Sequence, residues 1–462
     1  MKFKSKIGKR RIVVLLMLAI QNIAGFAYDF QLDGIYYTII SEEDLTVEVS
    51  YNYGTYYSGD VVIPSQVSKY GNTYTVKRIG ENAFLDSKGL HSVTIPETVD
   101  SIHYGAFVWC TGLTNIEVNS NNPYFQSKDG VVFNKAITKL LHFPNAKGGD
   151  YIIPDGVKSI STYAFTTNMV LRSVLMPSTL THIENHAFGI CDNLHDVQLS
   201  SSLEYIGDDA FSSCPLDNIS LPEGLKYIGN APFSYTNLKE IYIPKSVEYI
   251  GETSAIGYNL SLEKIDVAPD NKYYTSIDGI LYDKALTRVL VCPSNIDYRI
   301  VTLPSSITKI NTCAFHTVIP LTKIVIPSGV TQIGDGAFYY CSNLSQVVCY
   351  AQTPPSTPKK EHSSGDPWEY SSRSSATLYV PKGCAKAYKD YSTYDIYRRT
   401  IRPYAEFKEI VEMDDETGMS SYTQDYNIEI SRYNISGRKI KSTTKGLSII
   451  RMKDHTTKKV IK

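Results

Sequence analysis

The arrangement closest to a metal-site signature in this 462-residue chain is a histidine pair. In His182-Ile183-Glu184-Asn185-His186 two imidazoles stand at i and i+4, the spacing that brings zinc ligands together on one helix face. The His-Glu-x-x-His order of a zinc protease is absent. The stretch also passes from a strand-like into a turn-like pattern, where i+4 does not define a face. Eight cysteines offer bridges or metal ligands, but Cys110, Cys191, Cys214 and Cys341 each fall three residues after a Phe, at equivalent places of a recurring pattern. Copies of one stacked position point the same way, which suits small buried hydrophobes better than disulfide partners facing each other. Cys191 and Cys214 are the only immediate-neighbour pair of that column, and Cys292, Cys313, Cys349 and Cys384 lack metal-like spacing. Nucleophile-elbow, phosphate-loop and catalytic Cys-His signatures do not occur. The sequence predicts no enzyme, no cofactor and no metal site.

Tyrosine is the residue type whose placement points to recognition. The chain has 36 Tyr against 15 Phe and two Trp. A Tyr ring is large and apolar with a polar tip, which suits a half-exposed contact surface. Tyr205, Tyr227 and Tyr249 each directly precede an Ile that recurs with them. Elsewhere that place holds Arg78, Ser101, Ser159, His182, Lys309 and Gln332, so it reads as outward-facing. With Tyr242 from the adjacent strand pattern, these three are the candidate partner-binding residues. Two readings stay open: a contact surface, or a tyrosine ladder that stiffens a stack.

The elements that would position these rings are repeats. A Phe column runs through Phe84, Phe107, Phe165, Phe188, Phe211, Phe233, a degenerate Ala255, Phe315 and Phe338, with gaps of 23, 58, 23, 23, 22, 22, 60 and 23 residues. A Pro column at Pro96, Pro154, Pro177, Pro222, Pro244, Pro304 and Pro327 keeps the same rhythm, with Ser200 as its exception. Fixed-period self-similarity of this kind is the signature of a solenoid, in which each unit buries its apolar side chains only against its neighbours. Leu-x-x-Val-x-Ile-Pro alternates like a strand closed by Pro, and Ala-Phe-x-x-Cys-x-x-Leu has the three-and-four spacing of a short helical turn. The expected fold is a right-handed stack of short parallel strands about 4.8 Å apart, with short helical or 3-10 turns and β-rich caps.

The two long gaps are copies of each other. Asn122-Pro123-Tyr124-Phe125, Asp129-Gly130-Val131 and Lys135-Ala136 are answered by Pro269, Lys272-Tyr273-Tyr274, Asp278-Gly279-Ile280 and Lys284-Ala285. Asp-Gly before alternating apolar residues is turn chemistry leading into a strand, so each gap reads as one enlarged coil. The pattern I-G-x-x-A-F-x-x-C-x-x-L-x-x-V-x-I-P resembles the BspA-like, 23-residue class of bacterial surface leucine-rich repeats over roughly residues 60–350. That resemblance implies a secreted or surface-bound binding protein with no catalytic residues to carry over.

Residues 1–27 read as a secretory signal: six basic residues up to Arg11, an apolar run Ile12 to Ile20, and Gly25-Phe26-Ala27 before the cut. The run is too short to span a bilayer, no Cys follows it, and no later stretch reads as a transmembrane helix. Removing it leaves 40 basic and 47 acidic residues, a net charge of −7 that argues against a nucleic-acid surface. Residues 28–74 read as an N-terminal β cap or as a separate ligand-binding module, and 75–350 as the solenoid. Residues 351–412 read as a C-terminal cap and 413–424 as a linker. Residues 425–462 form a basic tail with three short strands, Tyr433 to Ile440, Lys445 to Ile450 and Lys459 to Lys462. The tail resembles the sorting modules of exported Bacteroidetes proteins read by a type IX secretion apparatus, or is an ordinary β cap with edge-protecting lysines. The function expected is adhesion to a protein partner, a host matrix protein or another surface protein. The alternative is a surface carbohydrate-binding or scaffold component.

Overall fold

The computed structural model describes residues 28–252, 258–357, 366–394 and 399–413, and four strands beyond them: Glu429–Asn434, Lys439–Ile440, Leu447–Met452 and Thr457–Ile461. The signal segment 1–27, Ala255 and the linker lie outside the described residues. The chain divides into two compact units, Met1–Lys284 and Ala285–Lys462. Each is a repeat solenoid of short strands.

In the first unit the residue pairs ending in the column Ile form one parallel ladder. Lys139–His142 pairs with Ser159–Ile160, which pairs in turn with His182–Ile183, Tyr205–Ile206, Tyr227–Ile228 and Tyr249–Ile250. The Leu-x-x-Val strands form separate parallel sheets, such as Gly149–Ile152, Leu171–Leu175 and Asp196–Gln198. Between them the column Phe rings stack on the buried axis. Phe165–Phe188 centroids lie 4.5 Å apart and Phe188–Phe211 5.0 Å apart, with all three rings fully buried. The glycine after the column Ile answers to close approach: a Cβ on Gly229 would lie 2.6 Å from the Asp208 nitrogen of the preceding coil.

The Ala-Phe stretch is not helical. Residues on either side of it adopt positive φ, as at His186 (54°) and Ile190 (60°), or Asp209 (52°) and Ser213 (62°). These left-handed residues turn the backbone so that its donors point along the stack. Phe188 N donates to Ala210 O at 2.8 Å and Phe315 N to Ala337 O at 2.7 Å. Bonds between coils alternate with single turn bonds, such as Gly189 N to His186 O at 3.0 Å, in place of the helical ladder that the three-and-four spacing suggests.

The stack begins earlier than residue 75. Thr46–Val49 pairs in parallel with Asn72–Ile79, aligning Val49 with Ile79, and Ser58–Val62 pairs in parallel with Gly89–Ile95. Tyr57 supplies the ring, its centroid 4.7 Å from that of Phe84. Outside this irregular first coil lie the antiparallel strands Phe30–Leu32 and Ile35–Ser41, which cover its edge.

The first enlarged coil folds as a hairpin, Phe125–Lys128 with Val131–Asn134, and Phe143 takes the column place, stacked 4.6 Å from Phe165. Asn122 organises the hairpin: its Nδ2 donates to Pro96 O and Val99 O while its Oδ1 accepts from Tyr124 N and Phe125 N. Asn271 repeats every one of these bonds with Pro244, Val247, Tyr273 and Tyr274.

In the second unit Ile300–Thr302, Lys323–Ile326, Gln346–Cys349, Thr377–Pro381 and Glu409–Met413 form one parallel sheet. The rhythm therefore continues past residue 350. Trp368 takes the Phe place, stacked 4.3 Å from Phe338, and Phe338 N donates to Pro367 O. Arg373 fastens this coil with ion pairs to Asp366 and Glu406, and the helix Ala385–Asp390 follows the Thr377–Pro381 strand. The tail forms four antiparallel strands instead of three, because the stretch from Tyr433 to Ile440 splits into a hairpin.

Column geometry predicts unequal losses. Phe211→Ala should cost about 3–5 kcal/mol, as a fully buried Phe does. Phe233→Ala should cost less, because the Phe211–Phe233 spacing widens to 6.0 Å and Ala255 follows in the column. Urea melts of the two variants check this, and equal losses would refute it.

Candidate functional site

The histidine pair does not converge. His182 lies in a strand and stacks on Tyr205 at 5.6 Å, while His186 lies in a turn and stacks on Tyr163 at 4.8 Å. The two imidazoles thus belong to different columns. Burial lowers the His186 pKa, which keeps its ring neutral against Tyr163. Among the described residues no group of three or more His, Cys, Asp or Glu is placed to hold a metal ion.

All eight cysteines are free and buried. Their column has a second role that the sequence did not signal. Each thiol donates to the Phe carbonyl of the preceding coil: Cys110 to Phe84 O at 2.9 Å, Cys191 to Phe165 O at 3.2 Å, Cys214 to Phe188 O at 3.0 Å and Cys341 to Phe315 O at 3.1 Å. Sulfur here gives the buried carbonyl a donor that a valine could not, beside the backbone N–H that also reaches it at Phe84, Phe165 and Phe315. Burial pushes the Cys341 thiol up to about 12 and raises Cys110 and Cys191 as well. Thiols held protonated in this way are poor nucleophiles.

The tyrosines form a ladder. Tyr205 pairs with Tyr227 and Tyr227 with Tyr249 in backbone register. Their rings stack at 4.5 Å and 4.6 Å with interplanar angles of 12° and 11°. Tyr249 is 40% exposed, and Tyr205 and Tyr227 are half-buried. Each ring covers the face of the next, so Tyr205 and Tyr227 show solvent their edges and hydroxyls, and Tyr249 ends the described ladder with one face covered. Burial first, then the neighbouring Tyr205 and Tyr249, pushes the Tyr227 phenol up to about 12. Burial raises the Tyr205 phenol as well, so these two hydroxyls stay uncharged across the ordinary pH range.

Tyr242 is not part of this ladder. It belongs to the strand Glu240–Ile243, which pairs with Lys264–Val267 in a different sheet, opposite Asp266. Alternation within a coil gives a strand's faces but not which sheet it joins, so the sequence could not separate these two positions. His182 extends the ladder instead, by the register His182↔Tyr205.

The repeats match a known family. A family description, "BspA type Leucine rich repeat region", matches in six copies over residues 65–145, 158–276 and 294–354, more than half of the chain. Among solved structures, a leucine rich cell surface protein from Faecalibacterium prausnitzii is similar at 20% identity, covering 86% of this chain and 97% of that one, with TM-score 0.42. A leucine-rich repeat protein from Eubacterium ventriosum is similar at 23% identity, covering 78% of each chain, with TM-score 0.42. The pneumococcal vaccine antigen PcpA is similar at 17% identity, covering 83% of this chain and 98% of that one, with TM-score 0.36. No curated protein matches the chain.

Thiol titration tests the cysteine column. Denatured protein should give eight free thiols. In the native state the four column thiols should react only at the rate of unfolding, since each is buried and hydrogen-bonded. One or more disulfides, or rapid native labelling of Cys191 and Cys214, would contradict the assignment.

Proposed function

Because this chain belongs to the BspA-type leucine rich repeat family, we propose that it is an exported, surface-displayed binding protein that holds a protein partner on the Tyr205–Tyr227–Tyr249 face. The observation that carries this reading is the register of three tyrosines whose hydroxyls recur at the ring spacing of 4.5–4.6 Å. Solenoid faces are the usual contact surfaces of repeat proteins. A row of hydroxyl donors and acceptors backed by stiff rings can anchor a partner at small entropic cost. Sugar stacking is the weaker reading for this ladder, because stacking needs open ring faces and these cover one another. A binding role, not a catalytic one, accords with protonated thiols and histidines that do not converge.

The ladder's own packing makes removal of whole rings a poor test, since a stacked aromatic pair contributes about 0.5–1.5 kcal/mol to stability. The triple variant Tyr205→Phe, Tyr227→Phe, Tyr249→Phe keeps the stack and deletes the hydroxyls. Once a panel of extracellular proteins has given a partner, this variant should bind it at least about ten-fold more weakly, with an unchanged urea melt. Full binding by the triple variant would make the tyrosines a purely structural ladder.

Export is read from the N-terminal segment and the tail. The six basic residues and apolar run of residues 1–27 support cleavage after Ala27, and the four-stranded tail suits a compact sorting module. Intact mass of the secreted protein should begin at Tyr28, and a secreted form that retains the first 27 residues would rule the signal out.

A further inference from the structure

We propose that the tyrosine-rich loop of residues 50–59, in the irregular first coil, is a docking surface for a cationic, arginine- or lysine-rich segment of a protein partner. This surface shares no residue with the ladder and does not depend on it.

The loop reads Ser50-Tyr51-Asn52-Tyr53-Gly54-Thr55-Tyr56-Tyr57-Ser58-Gly59. Tyr, Asn, Ser and Gly are the residues that recognition loops favour, with rigid amphipathic rings set among small polar groups. Its stem is built to hold shape. Tyr57 is buried, donates its hydroxyl to Ser50 O at 3.1 Å and accepts from Tyr36 N at 3.1 Å. Its backbone N donates to Ser87 Oγ at 3.1 Å. The tip is a closed turn, with Thr55 N donating to Asn52 O at 3.2 Å and Asn52 Nδ2 to Thr55 Oγ1 at 3.2 Å. Gly54 takes φ 79°, a left-handed value that this turn requires and Gly adopts freely.

What this scaffold presents differs from the stacked ladder. Tyr53 is 80% exposed and Tyr56 51% exposed. Among the described residues neither ring lies against another aromatic ring, so both keep open faces. Tyr28 adds a third partly exposed ring, edge-on to Tyr36 at 4.6 Å. Large rings left in water contribute nothing to a core, and holding them on a braced turn has no evident structural return.

The charge around them selects the occupant. Residues 28–68 hold seven Asp and Glu and no Lys or Arg, with Glu48 paired to Arg78 and the nearby Asp86 to Lys88 of the following coil. The register Tyr37↔Val49 puts the Asp33-Gly34 turn at the end of the sheet from which residue 50 departs. Asp33 is exposed there. Burial first, then Tyr56, Tyr53 and Asp86, raises the Tyr51 phenol. Electron-rich faces in a field of carboxylates attract guanidinium and ammonium groups. The same field repels phosphate, uronic acids and anionic bilayers. A neutral sugar would stack on the rings but gain nothing from the charge.

The test uses the secreted full chain and short fluorescein-labelled peptides of Arg-Gly-Ser repeats, with matched peptides carrying citrulline, Lys or Glu in place of Arg. Citrulline keeps the shape of Arg and removes its charge. The Arg peptide should bind at least about ten-fold tighter than the citrulline peptide, with Lys between them and Glu unbound, and the preference should fall with salt. Tyr53→Ser with Tyr56→Ser should lose about ten-fold for the Arg peptide. Tyr53→Phe with Tyr56→Phe should keep the affinity, because ring faces carry it, and Tyr273→Ser should leave it unchanged. Equal binding of Arg and citrulline peptides would overturn the proposal. So would full affinity in the Ser variant, which would mean that diffuse acidity and not this loop attracts the peptide. A neutral glycan bound by the chain and lost in the Ser variant, without any Arg preference, would overturn it in favour of a sugar.

Discussion

The structure depends on one constraint: each coil must hydrogen-bond and pack onto a near-copy of itself about 4.8 Å away. The column Phe nitrogens meet the Ala or Pro carbonyls of the next coil, and the column thiols meet the Phe carbonyls of the preceding one. Asn122 and Asn271 reach two carbonyls of a neighbouring turn. Turn bonds such as Leu203 N to Ser200 O close within a coil, while these bonds join one coil to the next. A substitution is therefore felt first by the coil beside it, which is why such a stack holds its columns more strictly than it holds coil length.

This constraint explains what the sequence discloses. Inward columns repeat because each residue's environment is a copy of itself, so Phe, Cys, Leu and Pro recur at one spacing and the enlarged coils recur as a pair. Where the neighbour is no longer a copy, the signal fades. Trp368 was hidden because Pro367-Trp368 replaces Ala-Phe after a longer spacer, although its ring stacks as the Phe rings do. Tyr57 was hidden for the same reason at the other end. The helical reading of the Ala-Phe stretch failed differently. Spacings of three and four also arise when left-handed residues flank a tight turn, and sequence spacing does not report the sign of φ.

The candidate site was legible in register but not in orientation. Tyr205, Tyr227 and Tyr249 share a column, and the structure brings them together. The sequence did not disclose that rings in one column must lie face to face at about the strand spacing, leaving only edges and hydroxyls free. Tyr242 shows the converse limit. Two strands of one coil alternate alike, and only the hydrogen-bonding partner, here Lys264–Val267, reveals which sheet each joins.

Register thus sorts the aromatic residues by what they can do. A ring that repeats from coil to coil finds its own copies above and below, and those copies consume its faces. Such a ring stiffens the stack and offers a partner only its rim, whether it lies inside like Phe188 or outside like Tyr227. A ring placed out of register has no copy to cover it, and its face stays open, as at Tyr53 and Tyr56. Face-on chemistry, cation–π contact above all, is therefore concentrated where the repeat fails: in caps, turns and irregular first coils. In a solenoid of this kind the regular coils supply rigidity and hydroxyl rows, and the breaks in regularity supply the open aromatic faces.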